Sequence, residues 1–226
     1  MKARAMMVAA LCAAIGVGVV IAQEGRPQQK RPAAAQPERA APQPSPEEMQ
    51  AAWMESMNPG EEHQRLAAMI GRWNATTRFW MGEADPVEGE GKAVMEWVLG
   101  ERFVRQNFTG NFMGMDFEGL GYTGFDRNKK KYVGSWMDNF STSMLYDEGQ
   151  WDQASETIVF RGTFVDPLGR EIKGRSVVKV HGPDRMTYTM YHTEPGSEEK
   201  KVGEITYTRA GADDAGDDAN AAEASS

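Results

Sequence analysis

From Arg72 to Arg209 apolar and polar positions alternate with a period of two, and Val, Thr, Phe, Tyr and Trp are frequent. Turn residues recur about every 10 to 15 positions, the punctuation of an all-β chain. The pattern predicts strands over 72–81, 88–98, 102–110, 115–125, 131–139, 143–151, 157–165, 170–181, 185–193 and 199–209. The breaks between them are chemically sensible. Gly100 and Glu101 suit a tight hairpin turn, and Asp126–Lys130, Asp166–Gly169, Gly182–Asp184 and Glu194–Gly196 are all turn sequences.

No break is long enough to hold a crossover helix, so each strand should pair antiparallel with its neighbour. A twisted meander of about ten strands either splits into a sandwich or closes into a barrel. Gly119, Gly121, Gly124, Gly134, Gly174 and Gly203 fall inside the strand pattern, where glycine permits bends and close backbone approach. They favour closure, and the expected fold is all-β, a ten-stranded antiparallel barrel.

Ahead of the strands the period changes. Ser45, Pro46 and Glu48 form a capping-box signature with proline at the first helical position. Met49, Ala52, Trp53 and Met57 follow at helical spacing and predict an amphipathic helix over 46–57. Asn58, Pro59 and Gly60 break it. A second helix is expected over 61–70 with Leu66, Met69 and Ile70 on one side, and Gly71 is placed to cap it.

The two ends read differently. Lys2 and Arg4 precede an apolar run from Val8 to Ala22, with small residues at Val20 and Ala22 before Gln23, which is the layout of a secretory signal over 1–22. An uncleaved membrane tether is the alternative, although the run is shorter than the ~20 residues of a usual span. Cys12, the single cysteine, lies inside this run, so the exported chain would have no thiol chemistry and no disulfide. Residues 23–45 are rich in Pro, Ala and Gln and lack apolar anchors, and 210–226 carry five acidic residues and no basic ones. Both should be solvated and disordered. The domain proper is therefore 46–209.

The 226 residues carry 25 Lys plus Arg against 33 Asp plus Glu, a formal net charge of −8. That balance gives no general attraction for a phosphate backbone, so nucleic acid is not an expected partner. The mean hydropathy of −0.58 excludes a multi-span helical membrane protein.

Several segments resemble one known family. They are Gly60–His63 with Leu66, Gly71–Trp73, Phe112–Gly114, Phe117–Gly119, Gly124–Asp126, Lys131–Asn139, Ser141 with Thr142, and Glu204–Arg209. Together they are similar to domain-of-unknown-function family 1579, an uncharacterised bacterial family. The resemblance implies a calycin-like β-barrel and a bacterial cell-envelope setting. It supplies no catalytic residues.

A ten-stranded barrel encloses more room than an eight-stranded one, and barrel mouths are common ligand sites. Met186, Tyr188, Met190 and His192 alternate with Thr187, Thr189 and Thr193, an adaptable inner wall for an apolar ligand or ordinary core packing. Trp136, Asp138 and Asn139 end one strand, and can orient a ligand at the mouth or simply hold the following turn. Which face of 131–139 points inward is left open by the pattern. Phe117 joins the apolar wall. Glu204 beside Ile205 and Tyr207 is a candidate internal carboxylate, with Arg105 as the partner a buried charge needs.

No nucleophile elbow, phosphate loop, dinucleotide fingerprint or zincin helix is present, and no cofactor is expected. The first expectation is thus a non-enzymatic exported barrel holding a small apolar or amphipathic molecule. The alternatives are a non-catalytic envelope interaction protein with a filled barrel, and a haem-binding or enzymatic barrel using rim histidine and carboxylates, with His192 as the iron ligand in the haem case.

Overall fold

A computed structural model describes residues 43–82 and 85–211. The expected signal segment, and all but the edges of the two expected disordered segments, lie outside these residues.

Ten strands follow one another as an antiparallel meander: β1 (Gly71–Phe79), β2 (Val87–Val98), β3 (Phe103–Phe112), β4 (Met115–Asp126), β5 (Lys131–Asp138), β6 (Leu145–Asp152), β7 (Thr157–Val165), β8 (Glu171–Val180), β9 (Arg185–Thr193) and β10 (Lys200–Arg209). β10 pairs back onto β1, so the sheet closes into a barrel without edges. The fold is the ten-stranded antiparallel closed barrel expected from the pattern, and its strand ends fall within two residues of the predicted ones.

Closure sets Trp73 opposite Arg209, Ala75 opposite Tyr207 and Thr77 opposite Ile205. A register shift interrupts the β9–β10 ladder between Lys201 and Gly203. β5 has none, so its alternation is settled: Tyr132, Gly134, Trp136 and Asp138 face inward, and Ser135 and Met137 face outward.

The helical lead-in closes one end. α1 (Pro46–Ser56) starts with a complete capping box, in which the Glu48 N–H donates to Ser45 Oγ at 3.2 Å and the Ser45 N–H donates to Glu48 Oε2 at 2.8 Å. The expected amphipathic packing of α1 does not occur. None of its residues is buried, and Met49, Trp53 and Met57 stay exposed. The barrel holds the chain just after α1 by polar bonds instead. Arg102 donates to the Met57 carbonyl at 2.6 and 3.0 Å, and Arg127 to the Asn58 carbonyl at 3.1 Å.

α2 (Glu61–Leu66) is shorter than expected and tightens into a 3-10 turn at Ala67–Met69. The tightening brings the Met69 carbonyl to the indole N–H of Trp73, which donates to it at 2.8 Å. Gly71 is not the helix cap. It opens β1 at φ +135°, and a Cβ there would overlap the Arg209 guanidinium. Leu66 and Met69 plug this end against Trp73, Met95, Val104, Tyr132 and Met186, all fully or almost fully buried. Each large side chain so buried contributes about 1.5–3 kcal/mol. Tyr132 secures the plug by donating its hydroxyl to the Glu62 carbonyl at 3.2 Å. No helix among the described residues is long and apolar enough to cross a membrane.

Candidate ligand-binding lumen

The inner wall changes character along the barrel. On β9, Met186 at the plugged end is 1% exposed, while Tyr188, Met190 and His192 beyond it are only half-buried. On β5, Tyr132 is buried, and Gly134, Trp136 and Asp138 are half-buried. These inward side chains beyond the plug keep water-accessible surface. Gly174, inward on β8 opposite His192, marks the room: a Cβ added there would meet nothing closer than 3.8 Å.

Elsewhere bare backbone is used up by a neighbour. Gly119 and Gly121 on β4 lie directly under the Trp136 indole, which covers both. The indole N–H donates to Asp138 Oδ2 at 3.0 Å, and its ring stacks on Phe117 with centroids 6.5 Å apart and planes 15° apart. Asp138 Oδ1 also accepts the Phe140 N–H at 3.1 Å. Asn139 clamps the same turn to β4, accepting from the Glu118 N–H and donating to the Asp116 carbonyl, both at 3.0 Å. Asp138 and Asn139 therefore fix the turn and the indole. Trp136 is the flat wall they hold in place.

The chemically singular group is Asp147 on β6. Its register sets it between Gly134 on β5 and Gly162 on β7, both inward, and a Cβ on Gly134 would overlap its Oδ1. Burial pushes the carboxyl up to about 6. Among the described residues it has no hydrogen-bond or ion-pair partner. Its charge is felt by Tyr188, whose hydroxyl is pushed up to about 12, first by burial and then by Asp147. Tyr188 donates to Ser176 Oγ at 2.9 Å, and Gln106 donates to the Tyr207 hydroxyl at 3.0 Å. Burial also raises Tyr207. These bonds join Tyr188 to Ser176 and Gln106 to Tyr207, and none of them reaches Asp147.

Of the residues singled out in the sequence, the barrel brings Phe117, Trp136, Tyr188, Met190 and His192 to the inner wall beyond the plug. Met186 belongs to the plugged core instead. Arg105 and Glu204 face the outside and do not pair. Arg105 is bonded to Glu96 across β2, and Glu204 accepts from Lys201 at 2.6 Å. Both alternate with inward neighbours, Val104 and Gln106 in one case and Gly203 and Ile205 in the other, so the pleat turns them away from the lumen.

His192 packs edge-on against Phe164 with ring centroids 4.9 Å apart, and burial lowers it below the usual imidazole range. His63 is a helix-end acceptor, taking the Gly60 N–H at 3.0 Å, and His181 bonds Thr187 at 2.9 Å outside the wall. Asp147 and Ser176 were missed, and Gly174 was read only as a glycine that lets the strand bend. The signal for Asp147 was present, since Leu145, Asp147, Gly149 and Trp151 share one face of a strand and put a carboxylate in an apolar register.

Around the open end, the turns present exposed Met81, Met113, Phe140, Met144 and Leu168. A separate groove of about 840 Å³ lies at the plugged end beside α1, lined by Glu55, Arg65, Arg127, Tyr132 and Trp151 among others. It is a charged cleft, with Arg127 already paired to Glu55 at 2.9 Å.

A family model described as "Protein of unknown function (DUF1579)" matches residues 58–209. No curated protein sequence matches the chain. Among solved structures, Rv2717c from M. tuberculosis superposes with a TM-score of 0.50 at 11% identity, covering 68% of this chain and all of that one. The S-type phycobiliprotein lyase CPES from Guillardia theta superposes with a TM-score of 0.46 at 12% identity, covering 70% of this chain and 97% of that one. At 11% identity the likeness to Rv2717c is one of fold.

Proposed function

Because the chain belongs to the DUF1579 family, whose description assigns no activity, we propose from its own lumen that it is a binding protein: a barrel that holds a small amphipathic molecule beyond the plug. The observation that carries this reading is the inner wall beyond the plug, where Tyr188, Met190 and His192 are half-buried and a Cβ at Gly174 would fit without overlap. Trp136, Phe117 and Met190 supply apolar burial, and methionine adapts its shape to the guest. Polar groups are few, as in most small-molecule sites.

The test is native mass spectrometry on protein isolated from its own host, with Gly174→Leu as the filled control. A bound small molecule is expected on the wild type and not on the variant, which should melt within a few degrees of it. An adduct retained by Gly174→Leu would move the site out of the lumen, and wild-type protein that carries no guest would remove the reading.

We also set the protein outside the cytoplasm, on the strength of Lys2 and Arg4 ahead of the apolar run at 8–22. N-terminal sequencing of the extracytoplasmic fraction should begin at Gln23. A chain beginning at Met1 in the membrane fraction would make the segment an anchor.

A further inference from the structure

The lumen has a polarity that apolar packing does not explain. Asp147 faces inward, is half-buried, and has no cation, N–H or O–H bonded to it among the described residues. An ionised carboxylate in that setting is destabilising for the empty protein. Uncompensated groups of this kind are where a protein gives up stability for function.

The groups packed around it leave the charge unanswered. From β5 it meets Gly134, from β7 Gly162, and from β9 the Tyr188 hydroxyl, which is spent on Ser176. The basic residues Lys131, Arg161 and Arg175 alternate to the outside of β5, β7 and β8. Lys131 is bonded to Glu148 there and Arg175 to Glu199. Arg209 is held at the plugged end over Trp73. His192, the other inward titratable group on β9, is held toward its neutral form by burial, and the nearest charge acting on it is Glu194. Asp138, the other inward carboxylate, is bonded to the Trp136 and Phe140 N–H groups, so the wall offers one carboxylate without a bonded partner, flat aromatic surface at Trp136 and space for a methyl group at Gly174.

We propose that the guest is an amphipathic amine: a molecule with a flat or apolar body and one protonated nitrogen, which pairs with the Asp147 carboxylate. This deepens the lumen reading and rests on it. The cation supplies the missing charge, in surroundings where water screens the pair weakly. Binding requires the ionised carboxylate, so affinity for the amine falls as pH drops below about 6, where Asp147 takes up its proton.

The experiment is calorimetric titration of the full chain with three probes of one shape: 2-naphthylmethylamine, 2-naphthylmethanol and 2-naphthoate. At pH 7.5 the amine should bind at least about tenfold more tightly than the alcohol, with the carboxylate weakest. Asp147→Asn should bring the amine down to the alcohol and leave the alcohol unchanged. Between pH 6 and pH 5 wild-type affinity for the amine should fall by up to about tenfold while the alcohol stays level. If the alcohol or the carboxylate matches the amine, or Asp147→Asn keeps the preference, the amine inference is overturned. The lumen reading then still stands wherever Gly174→Leu abolishes binding of the probe that bound. Binding of none of the three overturns both.

Discussion

The guanidinium of Arg209 lies 4.2 Å over the indole of Trp73, its register partner across the seam where the last strand meets the first. The same side chain donates to the Ile70 carbonyl at 3.0 Å and to the Pro183 carbonyl at 2.7 Å. One residue thus ties the seam to the helical plug and to the β8–β9 turn. Arg209→Met should lower stability by about 1–3 kcal/mol in urea unfolding, from the lost stacking and the two orphaned carbonyls. Trp73→Phe combined with it should cost clearly less than the two singles added together. Full additivity would mean that the pair does not interact.

Asp147 makes a prediction about the empty protein. Its native carboxyl is raised to about 6 from an ordinary 3.8, so the native state binds that proton more tightly than the unfolded chain does. Its contribution to stability is full below about pH 4, declines as pH rises toward 6, and is level above, for a total of at most about 3 kcal/mol. Asp147→Asn should remove this decline and stabilise the ligand-free protein at pH 7. Urea unfolding of both proteins from pH 3.5 to pH 8 measures the difference. Parallel curves would contradict it.

Two inward glycines should respond oppositely to the same methyl group. Gly119→Ala pushes into the Trp136 ring, which cannot move without losing its bond to Asp138. It should cost about 1–3 kcal/mol and alter the near-ultraviolet circular dichroism. Gly174→Ala makes only ordinary van der Waals contacts, at 3.8 Å with Gly162 O and Phe164 Cε1, and should leave both within error. Equal effects would mean that the wall is uniformly packed.

α1 should be separable from the barrel. Its attachment rests on Arg102 and Arg127, and none of its residues is buried. Arg102→Ala with Arg127→Ala should accelerate amide exchange throughout 46–56 and leave exchange in the strands near its wild-type level. Strand amides that loosen to the same degree would make α1 part of the cooperative core.

Strand positions were legible because a half-buried wall imposes alternation, and turn chemistry marks each reversal. The inward face of β5 was not, since Trp136 with Asp138 and Ser135 with Met137 are both plausible inner sets until the register with β4 is known. The same gap misassigned Arg105 and Glu204. A charge next to apolar neighbours looks internal, yet in a strand the adjacent residue points the other way. Asp147 shared a face with Leu145 and Trp151 and was readable in principle. What no sequence displays is that its cross-strand neighbours are the glycines at 134 and 162, which bring no partner to it.

The plug of Leu66 and Met69 makes the tube a cul-de-sac. A guest of the kind proposed would have to leave by the way it came in, past Phe140, Met144 and the other side chains of the mouth. Residence time is then written in the mouth turns and recognition in the wall, so drift at the lip can reset how long a guest stays without altering which guest is chosen.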